Sequence, residues 1–137
     1  MGTDAGGELH IGTESDVVAA RRAVRDAAAQ LGFASTEVTR LVTAASELAR
    51  NVFKYAGKGV MRWKSVERTG GLGIEVRFED RGPGIEDVSR AMEEGYSTGG
   101  GLGMGLPGAK RLVDELDIQS AVGAGTTVTL KKWRKIQ

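Results

Sequence analysis

The sequence predicts an α/β two-layer sandwich in which helices cover one face of a mostly antiparallel sheet. Two consecutive segments, 15–31 and 35–57, repeat apolar residues at the spacing of an amphipathic helix. Residues 72–79 then alternate strictly between apolar and other side chains, and further strand patterns stand on both sides of them. Because strands and helices are grouped rather than alternating as β-α-β units, their order favours the sandwich over a Rossmann fold.

The length and composition are those of one globular domain. The chain has 137 residues, of which 40% are hydrophobic and 27% charged, and we expect a flexible leader over 1–8 and one domain over 9–137. Nineteen basic and 18 acidic residues give a net charge of +1, which offers no electrostatic case for binding nucleic acid or a membrane. The chain contains no cysteine, which excludes disulfides and thiol catalysis.

We expect a cytoplasmic protein. The first ten residues have neither the basic nor the apolar region of a signal peptide, and no apolar run reaches the ~18 residues of a membrane span. The basic stretch 131–135 closes a predicted strand, and we expect its side chains to be solvated.

Helices are predicted at 15–31, 35–57, 85–94 and 106–116. Ser15 is expected to cap the first of them, which ends at Gly32. Ser35 or Thr36 is expected to cap the second, which carries a broad apolar face and ends at Gly57. The helix over 85–94 has a weaker pattern than the others.

Strands are predicted at 8–12, 60–67, 72–79, 118–122 and 126–133. His10 lies on the first of these and is expected to be a surface residue of an edge strand. The third strand runs directly into Asp80, and the last two form a hairpin around Gly123 and Gly125.

A glycine-rich stretch from Ser97 to Lys110 is the first candidate for a functional site. Seven of the 21 glycines fall between positions 95 and 108, around the start of the predicted third helix at Leu106 and Pro107. Proline suits the first turn of a helix and glycine lets a backbone approach a ligand, so the stretch is typical of a phosphate site. The alternative is a flexible surface loop, and the spacing is not that of a P-loop.

The sequence Asp80-Arg-Gly-Pro-Gly84 is the second candidate. A carboxylate at the end of a strand can accept a hydrogen bond from an exocyclic amine, and the glycines would let a flat base lie against the backbone. The alternative is an ordinary type I or II turn, since Asp commonly begins such turns.

Glu47 and Asn51 are the third candidate. They are four residues apart on the second helix and therefore lie on the same face of it. Asn offers a neutral oxygen suited to Mg²⁺, and Glu can act as a general base. The alternative is a pair of solvated helix residues.

The three motifs, in this order and with strands between them, resemble the GHKL ATP-binding fold of gyrase, Hsp90, histidine kinases and MutL. The similarity is greatest to the small serine-protein kinases of bacterial sigma-factor regulation, and among these to the RsbT-type switch kinases of the stressosome. It extends from about residue 9 to 134. The segments that carry it are SELARNVFKYAGKG (46–59), EDRGPGIEDV (79–88), GYSTGGGLGMGLPGAKRLVDE (95–115) and GTTV (125–128).

The resemblance implies a role for each matching residue. Glu47 matches the proposed general base, Asn51 the Mg²⁺ ligand, and Asp80 the aspartate that binds the adenine amine of ATP. Thr126 matches the threonine that supports Asp80 at the adenine edge, and Lys54 a phosphate contact that varies within the family. The residues implied to shape the base pocket are Gly82, Gly84 and Ile85. The residues implied to form the lid over the phosphates are Thr98, Gly101, Leu102, Gly103, Met104, Gly105 and Leu106.

The resemblance also implies partners. A switch kinase of this type uses ATP and Mg²⁺ to phosphorylate a serine or threonine of a STAS-domain antagonist protein, and then turns to a second partner, typically a PP2C-type phosphatase. Two alternatives stay open. One is an anti-sigma factor that sequesters a sigma factor in a nucleotide-dependent way, and the other is a related fold that no longer binds nucleotide. The short lid argues against an ATP-driven clamp.

Overall fold

The computed structural model of the protein describes residues 6–85 and 102–135. The helices and strands that it contains are β1 (Gly7–Ile11), α1 (Glu14–Gln30), α2 (Ser35–Asn51), a π-helical turn (Val52–Ala56), β2 (Gly59–Arg68), β3 (Gly71–Asp80), α3 (Leu102–Leu112), β4 (Glu115–Ala121) and β5 (Gly125–Trp133). The first strand begins at Gly7, two residues inside the segment predicted as a leader.

One antiparallel sheet carries all five described strands in the order β1-β2-β3-β5-β4. Its register places Met61 beside Phe78, and Phe78 beside Val128, so that these buried side chains form a row across one face. Since side chains alternate along a strand, every second residue of β2, β3 and β5 points to the same side. The helices pack on that side, and the predicted two-layer sandwich is confirmed.

The core lies between this face and the three described helices. It contains Val24 and Ala28 of α1, Leu41 and Leu48 of α2, and Leu106 of α3. Full burial of such aliphatic side chains contributes about 1.5–3 kcal/mol each. None of the helices within 6–85 and 102–135 is long and apolar enough to cross a membrane.

The opposite face of the sheet is charged. Arg62 pairs there with Glu79 and, at 3.5 Å, with Glu8. The carboxylate of Glu75 pairs with the ammonium group of Lys64 at 3.9 Å and with that of Lys131 at 4.0 Å. His10 on β1 is exposed, as expected for an edge strand.

The N-cap of the first helix lies two residues earlier than predicted. Thr13 is its N-cap, and its hydroxyl accepts the Asp16 N–H at 3.2 Å. The Asp16 carboxylate in turn accepts the N–H groups of Gly12 at 2.9 Å and Thr13 at 3.0 Å, which lowers the pKa of Asp16. The predicted cap at Ser15 was wrong because this reciprocal capping box requires an acidic residue three positions after the cap, and Asp16 supplies it for Thr13.

The second helix has no side-chain cap. Its N-cap position is Ala34, and both predicted caps, Ser35 and Thr36, lie inside the first turn. Glu37 occupies the third helical position, where a carboxylate is favoured by the helix dipole. The side chain of Glu37 also makes the buried ion pair described below.

The third helix differs from its prediction at both ends. It begins at Leu102, so that Pro107 lies inside it instead of in its first turn. Glycine disfavours a helix interior by only about 1 kcal/mol, and packing of Leu106 and Ala109 in the core offsets that cost. The helix ends at Leu112 because Leu116, which fits either periodicity, pairs with Leu130 in the sheet.

The basic C-terminal strand is not simply solvated, contrary to prediction. Lys132 is 5% exposed, and its ammonium group lies 2.8 Å from a carboxylate oxygen of Glu37, which is 6% exposed. Lys132 also donates to the carbonyl of Leu112 at 3.1 Å, and Lys135 lies 3.3 Å from the second oxygen of Glu37. Sequence alternation places Lys132 on the core-facing side of β5, where only a paired charge is tolerated.

We expect Glu37→Gln to reduce the free energy of unfolding by about 3–5 kcal/mol, because it leaves the Lys132 ammonium buried without its counter-charge. Urea denaturation measures the change. Glu67→Gln, at an exposed position, is the matched control. The double variant Glu37→Met/Lys132→Met should recover most of the loss. If Glu37→Gln lowers the free energy of unfolding no more than Glu67→Gln does, the Glu37–Lys132 pair does not stabilise the fold as proposed.

The same pair gives a pH dependence. Contact with Lys132 is the main cause that lowers the pKa of Glu37 below 4.5, and burial opposes it. The stabilisation is therefore complete above the ordinary pKa of 4.5, which applies to the unfolded chain. It is lost as the pH falls through the lower pKa that Glu37 has in the folded protein. Urea midpoints measured from pH 7 downwards should fall more steeply for the wild type than for Glu37→Gln. Urea midpoints that fall equally steeply with pH for the wild type and for Glu37→Gln would contradict this expectation.

Candidate functional site

An open cavity lies between the end of α2 and the ends of β3 and β5. Its walls are mainly apolar, with a few polar groups. The residues that line it are Leu48, Asn51, Val52, Tyr55, Ala56, Phe78, Asp80, Pro83, Gly84, Ile85, Leu106, Thr126 and Val128. Apolar walls with a few convergent polar groups are typical of a ligand pocket.

Asp80 ends β3, and its carboxylate is held in place by the loop that follows. One oxygen, Oδ1, accepts the Gly82 N–H at 2.8 Å. A Cβ at Gly82 would come within 2.6 Å of the Ala56 methyl group, so only glycine allows the loop to approach the π-helical turn this closely. Asp80 itself lines the cavity.

The loop after Asp80, which we call the base loop (residues 80–85), is fastened to the β4–β5 hairpin. Gly123 donates its N–H to the Pro83 carbonyl at 2.9 Å. Gly84 has φ = +81° and its Cα faces the Ala121 carbonyl closely enough that any Cβ would clash. Gly125, at φ = +97°, lies equally close to the Asp80 carbonyl. Glycine at 84 and 125 is therefore required by geometry.

Thr126 lies opposite Asp80 in the β3–β5 ladder and opposite Ser120 in the β4–β5 ladder. Its hydroxyl oxygen is 2.8 Å from that of Ser120. Ser120 Oγ also accepts the Ile85 N–H at 2.7 Å and donates to the Gly125 carbonyl at 3.0 Å. Two elements of the cavity wall, the base loop and β5, are thus joined through one hydroxyl group.

Asn51 is the last residue of α2 before the π-helical turn and lines the cavity on the side of α3. Its amide nitrogen Nδ2 is buried and has no hydrogen-bond partner among the described residues. A Cβ on Gly105 of α3 would lie 3.0 Å from that nitrogen. Since a buried polar group without a partner is costly, the amide is a candidate for contact with a ligand.

Glu47 does not line the cavity but lies one helical turn before Asn51, on the same face of α2. Its side chain is 39% exposed, and one oxygen is 3.5 Å from Arg50 Nη1. Exposed pairs of this kind contribute about 0–1 kcal/mol, so Arg50 does not hold Glu47 firmly. Lys54 is exposed and lies 5.5 Å from the centre of the Tyr55 ring, which does line the cavity.

Comparison with known proteins identifies the family of the chain. A family model described as a histidine kinase-like ATPase domain matches residues 12–132. The chain belongs to this family. The predicted ATP-binding fold is therefore confirmed.

Individual relatives agree with this assignment. The chain is 49% identical over 125 residues to the serine/threonine-protein kinase RsbT of Bacillus subtilis, which covers 91% of this chain and 94% of that protein. It is 34% identical over 120 residues to an anti-sigma F factor of Thermoanaerobacter, which covers 83% and 82% of the two chains. The predicted RsbT-type family is confirmed, and the expected enzyme class agrees with the name of the Bacillus relative.

A solved structure has the same fold. The crystal structure of the RsbU and RsbW domains of a Mycobacterium tuberculosis protein superimposes with a TM-score of 0.60 at 23% identity, covering 96% of this chain. The chain spans 34% of that longer polypeptide. At this identity the likeness concerns the fold alone.

The described part of the chain brings together Asn51, Asp80 and Thr126, which are far apart in sequence. Gly82 and Gly105 do not line the cavity, but each contacts a residue that does. Glu47 and Lys54 lie outside it. The predicted helix beyond residue 85, the glycines up to Gly101, and Thr98 lie outside the described residues. The backbone of Leu102, Gly103 and Met104 forms the first turn of α3.

Sequence reasoning missed two parts of the site. The π-helical turn contributes Tyr55 and Ala56, and π-helical turns occur frequently at functional sites, but they have no sequence pattern of their own. Ser120 was also missed, although a signal existed. It follows Leu116 and Ile118 on the core-facing side of β4, where alternation predicts an apolar residue.

We expect Gly105→Ala to weaken ATP binding at least about fivefold, because the new methyl group displaces the Asn51 amide from its position. Isothermal titration calorimetry measures the affinity. Gly108→Ala is the matched control, since a Cβ at Gly108 of the same helix meets nothing within 4 Å. That control should stabilise the protein by roughly 0.5–1 kcal/mol and leave the affinity unchanged. Equal affinities for the two variants would show that the contact with Asn51 does not matter.

Proposed function

We propose that the protein is a serine/threonine protein kinase that transfers the γ-phosphoryl group of ATP, with Mg²⁺, to a STAS-domain antagonist protein in the cytoplasm. The observation that carries the proposal is the convergence of Asn51, Asp80 and Thr126 on one cavity in a chain of the histidine kinase-like ATPase family. These residues are the ones that the family resemblance assigns to metal and adenine.

The adenine base is proposed to bind in the apolar slot of the cavity. Phe78, Ile85 and Val128 supply apolar walls for the flat ring. Asp80 supplies the polar end, because a carboxylate is an acceptor and the exocyclic amine is a donor. Gly82 and Gly84 contribute to the pocket through their lack of a side chain, which lets the backbone of the base loop pack closely against its neighbours.

The metal ligand is proposed to be Asn51. Its buried amide has no partner among the described residues, which fits a group that completes its contacts only when the nucleotide is bound. Turning the amide so that its oxygen faces the cavity would present a hard oxygen ligand, as Mg²⁺ requires. Mg²⁺ would supply charge neutralisation for the phosphates.

The general base is proposed to be Glu47. Its side chain is 39% exposed and is therefore accessible to a protein substrate, while Asn51 on the same helix face lines the cavity. The weak pairing with Arg50 lets the carboxylate turn towards an incoming hydroxyl group and accept its proton. Lys54 and the stretch from Thr98 and Gly101 to Leu106 are proposed to contact the phosphates.

The proposed cycle is one of partner switching. Phosphorylation of the antagonist would release the kinase to a second partner, for which a PP2C-type phosphatase is proposed. The similarity to RsbT, at 49% identity over most of both chains, supports this choice. The similarity to anti-sigma F factors supports a second candidate function, in which the protein sequesters a sigma factor.

We expect the wild type to transfer ³²P from γ-labelled ATP to a STAS-domain protein encoded near the gene, in the presence of Mg²⁺. Glu47→Ala should bind ATP normally but lose most transfer, by about 100-fold or more, because only the proton acceptor is removed. Asp80→Asn should instead lose ATP binding, since the amide exposes a donor to the adenine amine. Glu67→Ala is the control for removal of a carboxylate remote from the cavity.

Each outcome separates the hypotheses. If Glu47→Ala transfers the phosphoryl group as well as the wild type, the protein is still a kinase, but Glu47 is not its general base. ATP binding without transfer to any STAS-domain protein, together with capture of a sigma factor, would replace the kinase by the sequestering function. The absence of ATP binding by the wild type would contradict both.

A further inference from the structure

Ser120 has the hydrogen-bond geometry of a component of the site, although it does not line the cavity. It lies on the core-facing side of β4, partly buried, and its hydroxyl group contacts three different segments. These are the base loop at Ile85, the start of β5 at Gly125, and the side chain of Thr126. A solvent-facing or merely space-filling serine would not need three polar partners.

The direction of each hydrogen bond in this cluster follows from counting protons. The Ile85 N–H can only donate, so Ser120 Oγ accepts it at 2.7 Å. The Gly125 carbonyl can only accept, so the single proton of Ser120 is directed to it at 3.0 Å. The remaining contact, 2.8 Å between the hydroxyl oxygens of Ser120 and Thr126, must then use the proton of Thr126.

The Thr126 hydroxyl group therefore has only lone pairs to offer to a ligand in the cavity that Thr126 lines. Asp80 lies opposite Thr126 in the sheet, and one of its two oxygens is already occupied by the Gly82 N–H. The polar end of the cavity consequently offers a carboxylate oxygen and a hydroxyl oxygen, both of them acceptors. A ligand that presents a donor at this end is favoured, and one that presents an acceptor meets two unpaired lone pairs.

We infer that Ser120 is a positioning residue that fixes the proton of the Thr126 hydroxyl and thereby makes the pocket select a base with an amine over one with a carbonyl. The inference rests on the proposed function, because it assumes that a nucleotide base occupies this cavity. Ser120 touches no ligand itself. It acts through the orientation of one hydroxyl group and through the anchored N–H of Ile85.

The experiment compares ATP with inosine triphosphate, which differs at the six-position of the purine by a carbonyl in place of the amine. Dissociation constants are measured by calorimetry in the presence of Mg²⁺ for the wild type and for Ser120→Ala. Without Ser120 the Thr126 hydroxyl is free to turn and donate to the carbonyl. We expect the preference for ATP over inosine triphosphate to fall about 3- to 10-fold, mainly through tighter binding of the inosine nucleotide.

Two further variants test whether the effect passes through Thr126. Thr126→Val removes the hydroxyl group at similar volume, and Ser120→Ala added to it should not change the preference further. Gln119→Ala, at the neighbouring exposed position of β4, is the control for changes to the strand and should keep the wild-type preference.

A purely structural role would give a different result. If Ser120→Ala weakens both nucleotides equally, so that the ratio of their dissociation constants stays at the wild-type value, the inference is wrong even though ATP still binds. Independent, additive effects of Ser120→Ala and Thr126→Val on the ratio would also overturn it. If the wild type binds neither nucleotide, the proposed function fails along with the inference.

Discussion

The register between β3 and β5 is the constraint on which the rest of the site depends. It places Asp80 opposite Thr126, and the approach of Gly125 to the Asp80 carbonyl leaves no room for a side chain at that position. A shift of one residue would turn Thr126 to the charged face of the sheet and remove it from the cavity. Strand pairing therefore fixes the polar end of the pocket before any ligand is present.

The position of α2 against β5 fixes the other wall. Glu37 and Asn51 are 14 residues apart on α2, which corresponds to about 21 Å along a helix. Thr126 and Lys132 are six residues apart on the same face of β5, which corresponds to about 20 Å along a strand. These lengths match, so the Glu37–Lys132 pair lies at one end of α2 and β5, and Asn51 and Thr126 lie at the other end.

Much of this arrangement follows from the sequence. Alternation along β3 predicts that it ends at Asp80, and helical spacing predicts that Glu47 and Asn51 share a face, while the family resemblance relates both to one site. What escaped prediction depends on contacts distant in sequence. Lys132 is buried because Glu37 meets it across the core, and Leu116 leaves the helical pattern because Leu130 pairs with it. The alternation along β4 marks Ser120 as an unusual polar residue, but only the register shows that it lies beside Thr126.

The most direct test of the site is a crystal structure of the protein with Mg²⁺ and a non-hydrolysable ATP analogue. We expect the adenine ring between Ile85 and Val128, its amine within hydrogen-bond distance of Asp80, and the amide oxygen of Asn51 directed to the metal. A nucleotide bound with its base outside this cavity, or an Asn51 side chain that contacts neither metal nor phosphate, would contradict the central claim.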